Sequence, residues 1–193
     1  MKKGLLVIDA QNVYTDRASE LFCKDSRSTI KRINSLIEKF QRDKAPVIYV
    51  RHIHKKDGTD LGRMFDYAGE AEDFNFKEGS DEVEYDDRLI TAKGDVEVIK
   101  NRYSAFAGTD LEARLKKASV THLVICGFMT NFCCESTARD AHDRDYFVDF
   151  VVDATGTPGT DNLDEKEIRK VVSDLLEAGF SRVMSTKTFL KSK

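Results

Sequence analysis

Only two prolines interrupt these 193 residues, the four cysteines form no CxxC pair, no basic block occurs, and no apolar run is long. Each shortage excludes a class of protein. Cys23, Cys126, Cys133 and Cys134 lack the even spacing of a disulfide framework, which points to a reducing, cytoplasmic setting. Adjacent Cys133 and Cys134 leave a helix in different directions and no second pair completes a tetrahedron, so zinc held by cysteines is not expected. Basic and acidic residues number 31 and 34, for a net charge of −3, and without a basic cluster nucleic acid is a poor partner. No stretch approaches the roughly 20 apolar residues that span a bilayer. The opening MKKGLLVIDAQN turns polar after a short apolar run and reads as a first strand, not a signal peptide. A small molecule is the partner that remains.

The chain also lacks repeats and low-complexity segments, and its 40 % hydrophobic residues suffice for one core, so residues 1–193 form a single domain. Strand-like and helix-like segments alternate throughout. That order predicts an α/β fold of three layers, α/β/α, with a six-stranded, mostly parallel sheet and helices on both faces. The expected strands are 4–8, 47–50, 96–99, 122–126, 146–152 and 181–184, all short apolar runs. Residues 28–42 carry Ile30, Ile33, Leu36, Ile37 and Phe40 at helical spacing. Thr109 to Glu112 fits a capping box that opens a helix with Leu111 and Leu115 inward. The last helix expected carries Ile168, Val171, Val172, Leu175 and Leu176 and ends at Gly179. Residues 54–95 follow neither period and read as a lid-like excursion, in which Phe65, Tyr67, Phe74 and Phe76 serve packing.

One stretch, Leu123 to Ala138, carries chemistry: an apolar strand breaks at Gly127, and a thiol, Cys133, follows six residues later. With Thr130 as N-cap, Cys133 falls near the third helical position, where free amides and the helix dipole favour thiolate, the reactive form. Ligands of open parallel sheets bind beyond the carboxyl ends of the strands. Asp9 ends the first strand and Lys100 the third, so a carboxylate and an ammonium join the thiol at one edge. Asp9 would take the thiol proton, Lys100 would hold the anionic partners, and Cys133 would attack an electrophilic carbon. The backbone amides of Met129 and Cys133 would donate to the oxyanion. Cys126 and Cys134 are read as packing, and Asp153 as a turn cap or brace. His52 and His54 alternate in strand register and so face one side, which suits either a metal or a solvated surface; the surface is the favoured reading, with His54 nearer the pocket.

IDAQN at the start, IKNRYSAFAGTDLEARL in the middle, then GFMTNFCCESTARDA and YFVDFVVDAT make the chain resemble the isochorismatase-like cysteine hydrolase superfamily, which includes nicotinamidases and N-carbamoylsarcosine amidohydrolases. The resemblance runs over nearly the whole chain. It implies the triad Asp9, Lys100 and Cys133, a cis peptide between Phe128 and Met129, and Gln11 and Phe106 as substrate contacts beside His54. It also implies a homo-oligomer, a dimer or tetramer. Metal-dependent nicotinamidases present an aspartate and two histidines after the second strand, where this chain has Arg51, His52, Ile53 and His54. No metal and no cofactor are therefore expected, nor nicotinamidase activity. The leading expectation is a cysteine-dependent hydrolase, an amidohydrolase cleaving an amide, carbamoyl or ureido C–N bond through a thioester-type intermediate. The alternatives are vinyl ether hydrolysis of an isochorismate-like substrate with Asp9 as acid, a non-catalytic binding or oligomerisation module, and a redox role for Cys133 and Cys134.

Overall fold

In the computed structural model, which describes residues 1–64, 74–92 and 95–192, the alternation predicted from sequence becomes one sheet between two helical layers. Its strands are β1 (Lys3–Ile8), β2 (Val47–His52), β3 (Val96–Lys100), β4 (His122–Phe128), β5 (Phe147–Gly156) and β6 (Arg182–Met184). They run parallel in the order β3-β2-β1-β4-β5-β6. The chain builds outward from β1 to β3, then returns to start again on β1's other flank with β4. Strand order therefore reverses between β1 and β4, the position at which such sheets leave a crevice.

The pleat divides the core. Leu5 and Val7 of β1 join one buried cluster and Leu6 and Ile8 the other, so both sheet faces are covered. The first cluster packs under α1 (Asn12–Thr15), α2 (Ser26–Arg42) and α6 (Thr186–Lys191), and the second under α3 (Leu111–Lys117), α4 (Glu135–Asp143) and α5 (Glu165–Glu177). Helix α2 buries Ile30, Ile33, Leu36, Ile37 and Phe40, one stripe at helical spacing. No described helix is long and apolar enough to cross a membrane.

Three local expectations are corrected. The capping box at α3 does not form: Thr109 Oγ1 accepts the Leu111 amide, while Glu112 turns outward to Lys116 and Arg144. A true capping box opens α5, where Asp164 accepts the amides of Lys166 and Glu167 and Glu167 answers the Asp164 amide. Within α5 only Ile168, Val172 and Leu176 are buried, because one face of a helix meets the sheet; Val171 and Leu175 are 47 % and 51 % exposed. A further helix, α6, follows β6. Asp153 accepts the Thr186 amide and hydroxyl at its start, and Phe189 stacks on Phe40.

The described part of the 54–95 excursion is packed over the strand ends. Residues Phe76, Val83 and Leu89 are buried, and the backbone ties to His54, Ala10 and Asn12. Phe65 and Tyr67 lie outside the described residues.

Candidate active site

Asp9 leaves β1 with φ +47°, a left-handed conformation uncommon for a residue with a side chain, and its amide is tied to Val50 O at 2.9 Å. Beside it, Gly127 of β4 has φ +126°, and its missing side chain lets β4 approach the Ile8 backbone closely. The peptide between Phe128 and Met129 is cis. The chain then enters a wide π-type turn, Thr130–Cys134, which runs into α4. Thr130 is not the N-cap. Its hydroxyl donates to Thr155 Oγ1 at 2.8 Å on β5, and Met129 takes the cap position, its carbonyl accepting the amides of Phe132 and Cys134. Cys133 still stands in the first turn.

Lys100 reaches from the end of β3 toward the switch point and gathers the site. Its Nζ lies 2.8 Å from Asp9 Oδ2, 3.3 Å from Cys133 Sγ and 3.0 Å from Arg102 O, three acceptors for the three donors of an ammonium. All three side chains are buried. Burial pushes the Asp9 carboxyl up against the pull of Lys100. For Lys100 burial works downward, but Asp9 and Cys133 outweigh it and raise the ammonium's pKa. Burial likewise pushes the Cys133 thiol up to about 12, with Lys100 opposing and Asp9 adding. The expectation of a resting thiolate is thereby corrected: desolvation outweighs the helix start.

Over the sulfur lies a cavity of about 170 Å³ lined by Tyr14, Leu21, His52, Met64, Asn75, Phe76, Tyr103, Met129, Phe132 and Cys133. Tyr14 stacks on Phe128 and Tyr103 meets Phe132 at a tilt of 43°, so the walls are largely aromatic. None of the three expected substrate contacts lines it. Gln11 spends its amide on backbone, donating to His52 O and Val83 O and accepting the His52 amide. Phe106 shares a buried cluster with Cys133 but does not line the cavity; its ring lies against Tyr146 and Arg144. His54 faces a separate groove with Asp60. Tyr14, Phe76, Tyr103 and Phe132 carry no periodic signal; only Phe132, next to the nucleophile candidate, was within reach of sequence reasoning.

His52 and His54 do face one side, but it is not solvated. Both are buried, their Nε2 atoms 2.9 Å apart, because residues 76–78 return across them. Two nitrogens on one tetrahedral zinc stand about 3.4 Å apart with both lone pairs aimed at the ion. These two instead face each other at hydrogen-bond distance, so the pair does not fit such a centre. Among the described residues Asp9, His52 and Cys133 bring ligand-type atoms within 4.8 Å of one another, but the Lys100 ammonium already holds Asp9 and Cys133.

The family model described as an isochorismatase domain matches residues 3–188. The chain belongs to the isochorismatase family. This isochorismatase-family hydrolase is 33 % identical over 154 residues to nicotinamidase 3 of Arabidopsis thaliana, covering 80 % of this chain and 73 % of that one. A cysteine hydrolase from Pseudomonas syringae pv. phaseolicola has the same fold at a TM-score of 0.92 and 28 % identity, over 98 % and 91 % of the two chains. N-carbamoylsarcosine amidase from Thermoplasma acidophilum aligns at 0.76 and 25 % identity, over 96 % and 97 %.

Proposed function

We propose that this hydrolase cleaves a C–N bond of a compact amide, carbamoyl or ureido compound by covalent catalysis at Cys133. The observation that carries the reading is the Lys100 ammonium bridging Asp9 and Cys133 beneath a small aromatic cavity. On substrate binding the thiol proton passes to Asp9 as sulfur attacks the carbonyl carbon. The oxyanion is met by the amides of Met129 and Cys133; the neighbouring amides of Phe132 and Cys134 are already engaged within the turn. Collapse expels the amine, which takes the proton back from Asp9. Water, deprotonated by Asp9, then releases the acid and restores the thiol.

Cavity size restricts the substrate: a space of about 150 Å³ holds one benzene-sized ring, and this one is close to that. The names of the nicotinamidase and N-carbamoylsarcosine amidase relatives support small C–N substrates. The reading extends to a cytoplasmic setting, consistent with four free cysteines, and to a homo-oligomer, which the family resemblance implies. Intact-mass analysis during incubation with a panel of small amides, ureas and carbamoyl compounds tests it. A transient acyl adduct is expected, absent in Cys133→Ala. A Cys133→Ala protein with full turnover would refute the covalent step.

A further inference from the structure

Two donors of the Lys100 ammonium go to the groups that exchange the proton, Asp9 and Cys133. The third goes to the carbonyl oxygen of Arg102 at 3.0 Å, a contact that the hydrolytic steps leave without a role. Lys100 is the last residue of β3, paired with His52, so the sheet ladder does not fix the backbone that follows. The Arg102 side chain does so instead. Its guanidinium folds back on the chain, Nη1 donating to Asn101 O and, at 2.8 Å, to Asp60 O in the 54–95 excursion. The Asn101 side chain adds a second tie, donating to Asp60 Oδ2 at 3.1 Å, while Asp60 Oδ1 accepts the Lys55 amide. Gly62 completes the clasp: at φ +62° it lies so near that a β-carbon would collide with Arg102 Nη2 and stand 2.9 Å from Cζ.

The clasp sits between the triad and the cavity wall. Lys100 belongs to the triad, Asn101 and Arg102 grip the excursion, and Tyr103 lines the cavity, as does Met64 two residues beyond Gly62. An ammonium offered only a carboxylate and a neutral thiol is drawn to the carboxylate, the stronger partner. Asp9 is already the closer of the two, at 2.8 Å against 3.3 Å for the sulfur. A third acceptor that does not titrate and is itself held in place opposes that drift. The stakes are high, because a misplacement of about 1 Å at a reacting group can cost on the order of 10²-fold in rate.

We propose that Arg102 is a positioning residue for the proton transfer: its guanidinium, clasped by Asn101 and Asp60, fixes the carbonyl that keeps Lys100 shared between Asp9 and Cys133. This rests on the hydrolase reading and adds to it a residue outside the triad. The seating of residues 55–62 thereby becomes a condition for catalysis.

Two readings test it in Arg102→Met and Gly62→Ala, with circular dichroism to check folding. The first is alkylation of Cys133 by iodoacetamide, without substrate, between pH 8 and pH 10, where the rate follows the thiolate fraction. Lys100 holds the thiol down against burial, so a lysine drawn to Asp9 leaves less thiolate. Alkylation should fall about fivefold in Arg102→Met across this range. A cavity wall that had only loosened would admit the reagent faster. The second reading is turnover of benzamide, acrylamide and phenylurea, in which kcat should fall about tenfold with KM within about twofold. Gly62→Ala, which displaces the guanidinium without removing it, should move both readings the same way by about threefold, and it decides the matter if Arg102→Met does not fold. Asp57→Ala opens the turn to Thr59 in the same excursion without touching the clasp, and should leave both readings within about twofold. Faster or unaltered alkylation in the folded clasp variants, a loss confined to KM, or equal losses in Asp57→Ala overturns this inference alone. Absence of turnover and of any acyl adduct at Cys133 in the parent protein overturns the hydrolase reading and this inference with it.

Discussion

Gly127→Ala is the most informative single perturbation of the architecture that assembles the site. A β-carbon built there collides with the Ile8 carbonyl oxygen and stands 2.7 Å from that residue's carbonyl carbon and nitrogen. Both obstacles are backbone of a paired strand, Ile8 against Gly127 at the carboxyl end of the parallel ladder, and Asp9 beyond it is tied to Val50, so neither swings away as a side chain would. Two costs combine. Holding a residue with a side chain at φ +126° costs about 1–3 kcal/mol, and overpacking a rigid contact about as much again, for a total of roughly 2–6 kcal/mol. That is a large part of the 5–15 kcal/mol typical of a whole domain. Two other glycines separate the contributions. Gly108 has φ +71° with nothing within 4 Å, so its alanine variant carries only the conformational cost, about 1–2 kcal/mol. At Gly156 a β-carbon presses on the Phe128 ring, 2.8 Å from Cδ1, and a ring can shift; overpacking alone then costs about 1–3 kcal/mol. Urea unfolding followed by circular dichroism should rank Gly127→Ala well below both. Because Ile8 precedes Asp9, any folded Gly127→Ala protein should also lose turnover, as β1 retreats and Asp9 moves off the Cys133 turn. A Gly127→Ala protein within about 1 kcal/mol of the parent would refute the close-approach argument.

The Cys133 thiol, pushed up to about 12, should be alkylated by iodoacetamide in the absence of substrate at a rate that climbs about tenfold per pH unit from pH 7 to pH 10. Peptide mapping reads the site, and a plateau near pH 8.5 would show that the thiol is not so raised. Lys100→Met removes the charge that holds Asp9 down, so turnover should fall by about 10²–10⁴ as the base is lost, with destabilisation of about 3–5 kcal/mol at neutral pH. In that variant the folded Asp9 carboxyl titrates above its unfolded value of 3.8, so the stability deficit is small at pH 4 and grows as pH rises toward 7. A deficit that is flat with pH would contradict the pairing.

The sheet was legible because GLLVI, VIYV and LVIC are short apolar runs that only a doubly covered strand accommodates. Helix α6 was not, since six residues with one large buried side chain, Phe189, give no period. Asp9, Lys100 and Cys133 stood out because each reactive group follows a strand end. Their protonation did not: position in a helix turn is visible in sequence, whereas depth of burial depends on what returns over the site. The histidines show the same limit. Alternation put His52 and His54 on one side correctly, but whether that side meets water was decided by Phe76 and Glu78, whose backbone bonds to His54 arise some twenty residues later. The bonding of Gln11 was hidden for a related reason, since the carbonyls that claim its amide lie on His52 and Val83.

A fully buried triad with every pKa displaced is still workable, because the cluster's net charge does not change during the proposed proton transfer. Before it, Lys100 is positive, Asp9 negative and Cys133 neutral; afterwards the negative charge sits on sulfur and Asp9 is neutral. Burial penalises isolated charge, and both arrangements are single ion pairs around the same ammonium, which reaches Asp9 at 2.8 Å and Cys133 at 3.3 Å without moving. The desolvation that raises thiol and carboxyl separately therefore largely cancels between the two states. What remains is the difference between two contacts of one lysine, and substrate arriving over the sulfur need supply only that. On this account Lys100 matters less for making a resting thiolate than for keeping the transfer between two buried acids nearly level.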